Sequence, residues 1–290
     1  MFPKTLPDYV NKYPQIAPTI PRLHNMLKQL QVGPDRLQSE GHFEVEARFG
    51  TINNDGKNSF QSGVPLEFFQ QCLKQVESFD EWKKVTDKEQ THDYYYELPP
   101  HPEDLRGQGI LVRTTTEFRK LDKPAENGCM SQMVTTHMCK QGRDKQDFRY
   151  LPNVITGFPT SHPGLDVRVS LNFEEKVPVD SIPSRTQPKF VRIKDRKSFI
   201  YQPAHAKMPI WSIDFTESWN GNTRTEAEMK QKAGQTIYEI EVECLDPFTY
   251  MTDAKRDVYY LATSLMLKMR DFIGVDKPFH WEPLFRYSAF

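Results

Sequence analysis

Residues 238–244 read YEIEVEC, and residues 42–50 read HFEVEARFG. In an extended strand successive side chains point to opposite faces, so Glu239, Glu241 and Glu243 share one face while Tyr238, Ile240 and Val242 share the other. Glu44 and Glu46 are separated in the same way from Phe43, Val45, Ala47 and Phe49. Five carboxylates on two facing strands would make a cage for a hard divalent cation, which takes oxygen ligands.

Outward from these two segments, strand-like runs are expected at about 82–97 with a turn inside, 110–119, 130–140, 165–175, 189–201, 208–217 and 236–245. Gly- and Pro-rich joints at Pro99–Gly109, Leu121–Gly128 and Pro152–Gly164 separate several of them. Helical spacing appears three times. Leu23, Leu27 and Leu30 give a short helix ended by Gly33-Pro34; Pro65 opens a second with Leu66, Phe69, Leu73 and Val76; and Asp253 to Phe272 carries Val258, Leu261, Leu265 and Met269, stopped by Gly274. The pattern predicts a mainly β (α+β) protein, with eight or more antiparallel strands closing into a barrel flanked by helices. Residues 1–18 read as an extended arm with four prolines, 19–274 as the folded domain, and 275–290 as an aromatic extension that docks elsewhere.

The charges nearly cancel, 38 Lys and Arg against 39 Asp and Glu over 290 residues, so no general attraction to polyanions is available and any phosphate or nucleic-acid site must be local. Cys72, Cys129, Cys139 and Cys244 lack CxxC spacing, which argues against a zinc site and a secreted disulfide framework. There is no apolar leader and no run of about 18 apolar residues. A soluble, intracellular protein without membrane contact is expected.

Other strands repeat the alternation with mixed or opposite charge. VRIKDRKSF sets Arg192, Lys194 and Arg196 at every second position, and LDVRVSLNFEE sets Arg168, Ser170, Asn172 and Glu174 against Val167, Val169, Leu171 and Phe173. One such strand is ordinary in a sheet with one wet face. Here two strands present acid at their centres and a third presents base, and that segregation of sign points to a site. With the ionic faces inward, Glu44, Glu46 and Glu243 would bind Mg²⁺ or Mn²⁺ through oxygen, the Arg and Lys side chains would hold polyphosphate oxygens, and Glu241 would orient an attacking water. That arrangement describes metal-dependent hydrolysis of a triphosphate.

The ordered set FEVEARFG, ILVRTTTE, LDVRVSLNFE, RIKDRKSFIY, IDFTES and YEIEVE, spanning about residues 42–245, resembles the tunnel-type triphosphate metalloenzymes, and most closely the fungal-type mRNA 5′-triphosphatases of cap synthesis. The resemblance implies that Glu44, Glu46 and Glu243 bind metal, that Glu241 places water, and that Glu239 holds basic side chains. It implies that Arg113 and Lys140 bind phosphate, that Lys194 contacts the γ-phosphate between Arg192 and Arg196, and that Glu174 and Asp214 position those arginines. Arg48 falls in phase with Glu44 and Glu46, and Arg168 lies on an ionic face. Relatives tend to carry Arg two residues before the aspartate of IDFT, where this chain has Ser212; either another base such as Arg48 or Arg119 fills the role, or the pocket differs.

The resemblance also implies a triphosphate-ended RNA substrate, a partner guanylyltransferase, a homodimer and a nuclear location, or a cytoplasmic one for a viral protein. No KxDG nucleotidyl-transfer motif is present in these 290 residues. Two alternatives stand beside it: a phosphohydrolase of the same fold acting on inorganic, nucleoside or thiamine triphosphate, and a non-catalytic module that binds polyphosphate or RNA ends. His137 with Cys139, and Tyr94 to Tyr96, read as ordinary strand residues rather than as metal ligands or a base-stacking platform.

Overall fold

The computed structural model describes residues 23–25, 27, 41–52, 60–99, 110–120, 131–149, 165–178, 180, 182–202, 209–247, 258, 261–265 and 268. The arm expected at 1–18 and the extension at 275–290 lie outside the described residues, as do all three joints apart from Pro99. Nine strands run antiparallel: β1 (Gly41–Ile52), β2 (Phe60–Ser62), β3 (Trp82–Leu98), β4 (Ile110–Lys120), β5 (Ser131–Arg149), β6 (Asp166–Lys176), β7 (Phe190–Tyr201), β8 (Trp211–Gly221) and β9 (Ile237–Cys244). Their order in the sheet is β2-β1-β6-β5-β4-β3-β7-β8-β9. In addition β9 pairs with β1, Glu46 opposite Glu243 and Arg48 opposite Glu241, which sets the two acidic segments side by side.

Two helices have full bounds, α1 (Leu66–Glu77) and α2 (Arg224–Lys232). Pro65 precedes α1 in an extended conformation, a position where its missing N–H costs nothing. The helix buries Phe68, Phe69, Cys72 and Val76, while Leu66, expected on the apolar face, is exposed. The apolar stripe is therefore rotated toward Phe68. Residues 258, 261–265 and 268 are helical, as are 23–25 and 27. Leu23, Leu27, Val258, Leu261 and Leu265 join α1 over the apolar sides of β1, β6, β8 and β9. Phe69 meets Phe215 and Tyr238 at ring-centre separations of 5.5 and 5.1 Å, and Phe49 meets Phe68 at 5.5 Å. A single such ring buried contributes on the order of 1.5–3 kcal/mol.

Two expected strands need correction, and two elements are new. Residues 82–98 form one strand without a turn; the irregularity is taken up by register shifts against β7 around Thr86, a bulge that bends the strand without ending it. β5 continues to Arg149, well beyond 140, held by its ladder to β6 although its sequence loses apolar alternation there. β2 and α2 were not expected at all. Thr223 caps α2 by accepting from the Glu226 N–H while Glu226 accepts from the Asn222 N–H, a reciprocal cap legible in TRTE.

The opposite face of the strands is also withdrawn from water. Glu44, Glu46, Asp93, Asn172, Glu174, Lys194, Asp214 and Ser218 are all buried. A sheet with one wet face is thereby excluded for these positions, and charges buried in this way require partners.

Candidate active site

The buried ionic face surrounds a cavity of about 330 Å³. Each member of the basic triplet on β7 meets an acid from a different strand. Arg192 pairs with Glu239 on β9, the Lys194 ammonium lies 2.6 Å from Asp93 on β3, and Arg196 lies 2.9 Å from Asp214 on β8. The Ser62 and Ser218 hydroxyls also donate to Glu239, at 2.9 and 3.0 Å. Across the cavity the Arg113 guanidinium reaches both oxygens of Glu174, at 3.0 and 3.1 Å. Glu174 thereby braces Arg113 on β4. Arg168 lines the cavity and lies over the Phe60 ring at 4.1 Å.

On the acidic wall, Arg48 donates from one nitrogen to Glu46 and Glu241, both at 2.9 Å. Asn172 donates to the other oxygen of Glu46 at 3.0 Å. Arg48 thus ties the two acidic strands together. Ser212 is buried opposite Glu243, so no cation comes from that position on β8. Lys140 pairs in register with Glu174 across β5 and β6, but the side chains of Lys140, Arg119, His137 and Cys139 lie outside the described residues.

Electrostatics follow from this crowding. Burial raises the Glu243 carboxyl well above its ordinary range, and the neighbouring Glu241, Glu44, Asp214 and Glu46 push it further. Burial lowers the Lys194 ammonium to about 7, helped by Arg196 and Arg192 and opposed by Asp93. Asp93 itself falls below its ordinary value: burial would raise it, but Lys194, Arg113 and the Thr115 hydroxyl at 2.7 Å prevail. For Arg48, burial opposes the charge while Glu241 and Glu46 overcome it, and the net shift is upward.

Among the described residues no three His, Cys, Asp or Glu side chains stand at metal-binding spacing. The donor chemistry nonetheless suits a hard cation. Glu44, Glu46 and Glu243 supply carboxylate oxygen only, and the mutual repulsion at Glu243 is what a divalent ion would offset.

Charge alternation places Asn172 on the ionic face without a role, and it does not single out Asp93, Ser62 or Ser218 as members of the site. For Asp93 a signal existed: in THDYYYE the residues Thr91, Asp93, Tyr95 and Glu97 alternate on one face, with Asp93 the acid nearer its middle.

Residues 154–260 match the family model described as mRNA capping enzyme, beta chain. That span holds β6 to β9 and with them the basic triplet and the second acidic strand. The match shows the resemblance to capping triphosphatases that the ordered motifs carry. The structure is similar to that of the S. pombe Pct1 RNA triphosphatase, with 16% identity, a TM-score of 0.54, and coverage of 88% of this chain and 91% of Pct1. A second Pct1 structure, in complex with the Spt5 CTD, gives 14% identity, a TM-score of 0.53, and coverage of 87% and 91%. The RNA triphosphatase domain of a trifunctional mimivirus capping enzyme gives 13%, 0.44, 86% and 96%. No curated protein matches the chain in sequence. The Pct1 likeness shows a shared, mainly antiparallel β fold with few helices.

Proposed function

We propose that this chain removes the γ-phosphate from the 5′-triphosphate end of RNA, leaving a diphosphate end and inorganic phosphate, as the first step of mRNA cap formation. The observation that carries the reading is the buried row of Arg192, Lys194 and Arg196, each clamped by an acid, facing an acidic wall across a cavity of about 330 Å³. The family match over residues 154–260 supports it, as does the fold shared with an RNA triphosphatase.

In this reading Lys194, Arg192, Arg196, Arg113 and Arg48, with Lys140 from β5, hold the phosphate oxygens and neutralise charge as the terminal phosphoryl group departs. Glu241 orients a water whose oxygen bonds to the γ-phosphorus while the bond to the β–γ bridging oxygen breaks. The cation wall takes up the charge left on the β-phosphate. Glu239, Asp214, Glu174 and Arg168 keep that wall in place. Glu44, Glu46 and Glu243 would hold Mg²⁺ or Mn²⁺, which supplies Lewis-acid polarisation of a phosphoryl oxygen when bound. Arg48 serves where relatives carry Arg at the position of Ser212.

The β9–β1 pairing supports closure of eight strands into a tunnel, with β2 as an outer addition. A guanylyltransferase partner, a homodimer and a nuclear location belong to the same proposal through the resemblance.

A small triphosphate remains the second reading, favoured by a cavity of about 330 Å³ whose walls address phosphate rather than base. Phosphate release from triphosphate-ended RNA, tripolyphosphate and ATP, each with Mg²⁺ and with Mn²⁺, separates the two. Strong tripolyphosphate turnover with intact RNA would remove the capping assignment.

A further inference from the structure

A second cavity of about 610 Å³ adjoins the first, and the two share Phe60 and Ser62 as a common wall. Its size falls within the range of about 300–1,000 Å³ typical of small-molecule sites. Tyr238, Ile237 and Phe60 give it apolar and aromatic walls, and Asn220 and Gln61 give it amide groups. The Asn220 side-chain oxygen is withdrawn from water and accepts no hydrogen bond. Such an acceptor costs free energy unless something donates to it.

The position of this cavity relative to the charges is specific. Asn220 pairs in register with Arg192, the first of the basic triplet, and Ser62, which both cavities share, donates to Glu239, the partner of Arg192. Arg168 covers the Phe60 ring at the junction of the two cavities. A molecule reaching from the second cavity to Lys194 therefore passes cationic groups, Arg168 and Arg192, before it meets the ammonium. A nucleoside triphosphate end has that sequence of parts: an aromatic base bearing hydrogen-bond donors, then a chain of anionic phosphates.

We propose that the second cavity holds the terminal nucleoside of the triphosphate-ended RNA, so that Phe60 and Ile237 pack against it, the Asn220 and Gln61 amides border its polar edge, and its phosphates extend past Arg168 and Arg192 into the first cavity. This rests on the RNA-end reading above and deepens it, since it says why an RNA end would bind better than bare tripolyphosphate. The side chains that would make the distinction lie on β2, β8 and β9, away from the acidic wall.

Binding measured without turnover tests it. In metal-free buffer, titration calorimetry compares a triphosphate-ended dinucleotide with tripolyphosphate, for the unaltered protein and for Asn220→Ala and Ile237→Trp, the latter filling the cavity from a half-exposed position without changing charge. The unaltered protein is expected to prefer the dinucleotide by about tenfold, the scale of one stacked base. Ile237→Trp should abolish the preference and Asn220→Ala should reduce it, with tripolyphosphate affinity within twofold of the original in both. Equal affinity for the two ligands in the unaltered protein, or parallel losses of both in the variants, overturns the proposal. The catalytic reading fails by a different result: the dinucleotide binds with preference but releases no phosphate when Mg²⁺ or Mn²⁺ is supplied.

Discussion

Lys194 occupies the centre of the cation wall with an ammonium that burial, Arg196 and Arg192 lower to about 7, while Asp93 holds it from falling further. The charged form predominates below that value and is lost above it, so affinity for a phosphate anion should be full below about pH 7 and weaken as pH rises. Tripolyphosphate binding in metal-free buffer from pH 6 to 9 should show this fall, and Lys194→Arg should remove it, because a guanidinium keeps its proton throughout. A parallel fall in the Arg variant would assign the dependence to the ligand itself. Asp93→Asn removes the charge that raises the ammonium and should move the fall to lower pH. The triplet and Glu239 are legible as alternating charges, and Asp93 lies on an alternating face, but the roles of Glu239 and Asp214 as partners come only with the family resemblance, and pairing Asp93 with Lys194 requires knowing that β3 lies beside β7. That Glu174 holds Arg113 is hidden for the same reason, since strand register and not sequence brings the two together.

At the scale of elements, period-two alternation made most strands legible, since burial on both faces with opposite chemistry leaves a clear pattern. It failed in the second half of β5, where GRDKQDFR follows no apolar rhythm and the ladder to β6 alone holds the strand. β2 is three residues long, too short to show a period, and it lies so close to β1 that a side chain on Gly50 would sit 2.3 Å from the Gln61 carbonyl. Gly50→Ala should therefore displace β2 and disturb the Phe60 wall. On the other face, α1 anchors through Phe69, and Phe69→Ala should cost about 3–5 kcal/mol in denaturant unfolding. A loss below about 1 kcal/mol would mean that α1 is not part of the same cooperative core. For α2, Thr223→Ala should cost about 1 kcal/mol by losing its cap.

Over the whole molecule, the near-neutral charge conceals a separation into facing walls, brought about when β9 pairs with β1 and sets Glu243 opposite Glu46. The acidic wall is a stability cost without a cation, since Glu243 is crowded by four carboxylates. Glu243→Gln should raise the melting temperature of the metal-free protein at pH 8. Mg²⁺ or Mn²⁺ should raise that of the unaltered protein by mass action and leave the variant nearly unmoved. An equal response to metal in both proteins would place the cation elsewhere. The most direct measurement of the central claim is phosphate release from RNA labelled at the γ-phosphate, with and without Mg²⁺ or Mn²⁺, in the unaltered protein and in a folded Glu243→Gln variant. Label appearing as inorganic phosphate only with metal, only in the unaltered protein, and with the RNA left diphosphate-ended is the expected result; label retained on the RNA in every arm, or equal release by the variant, would contradict it.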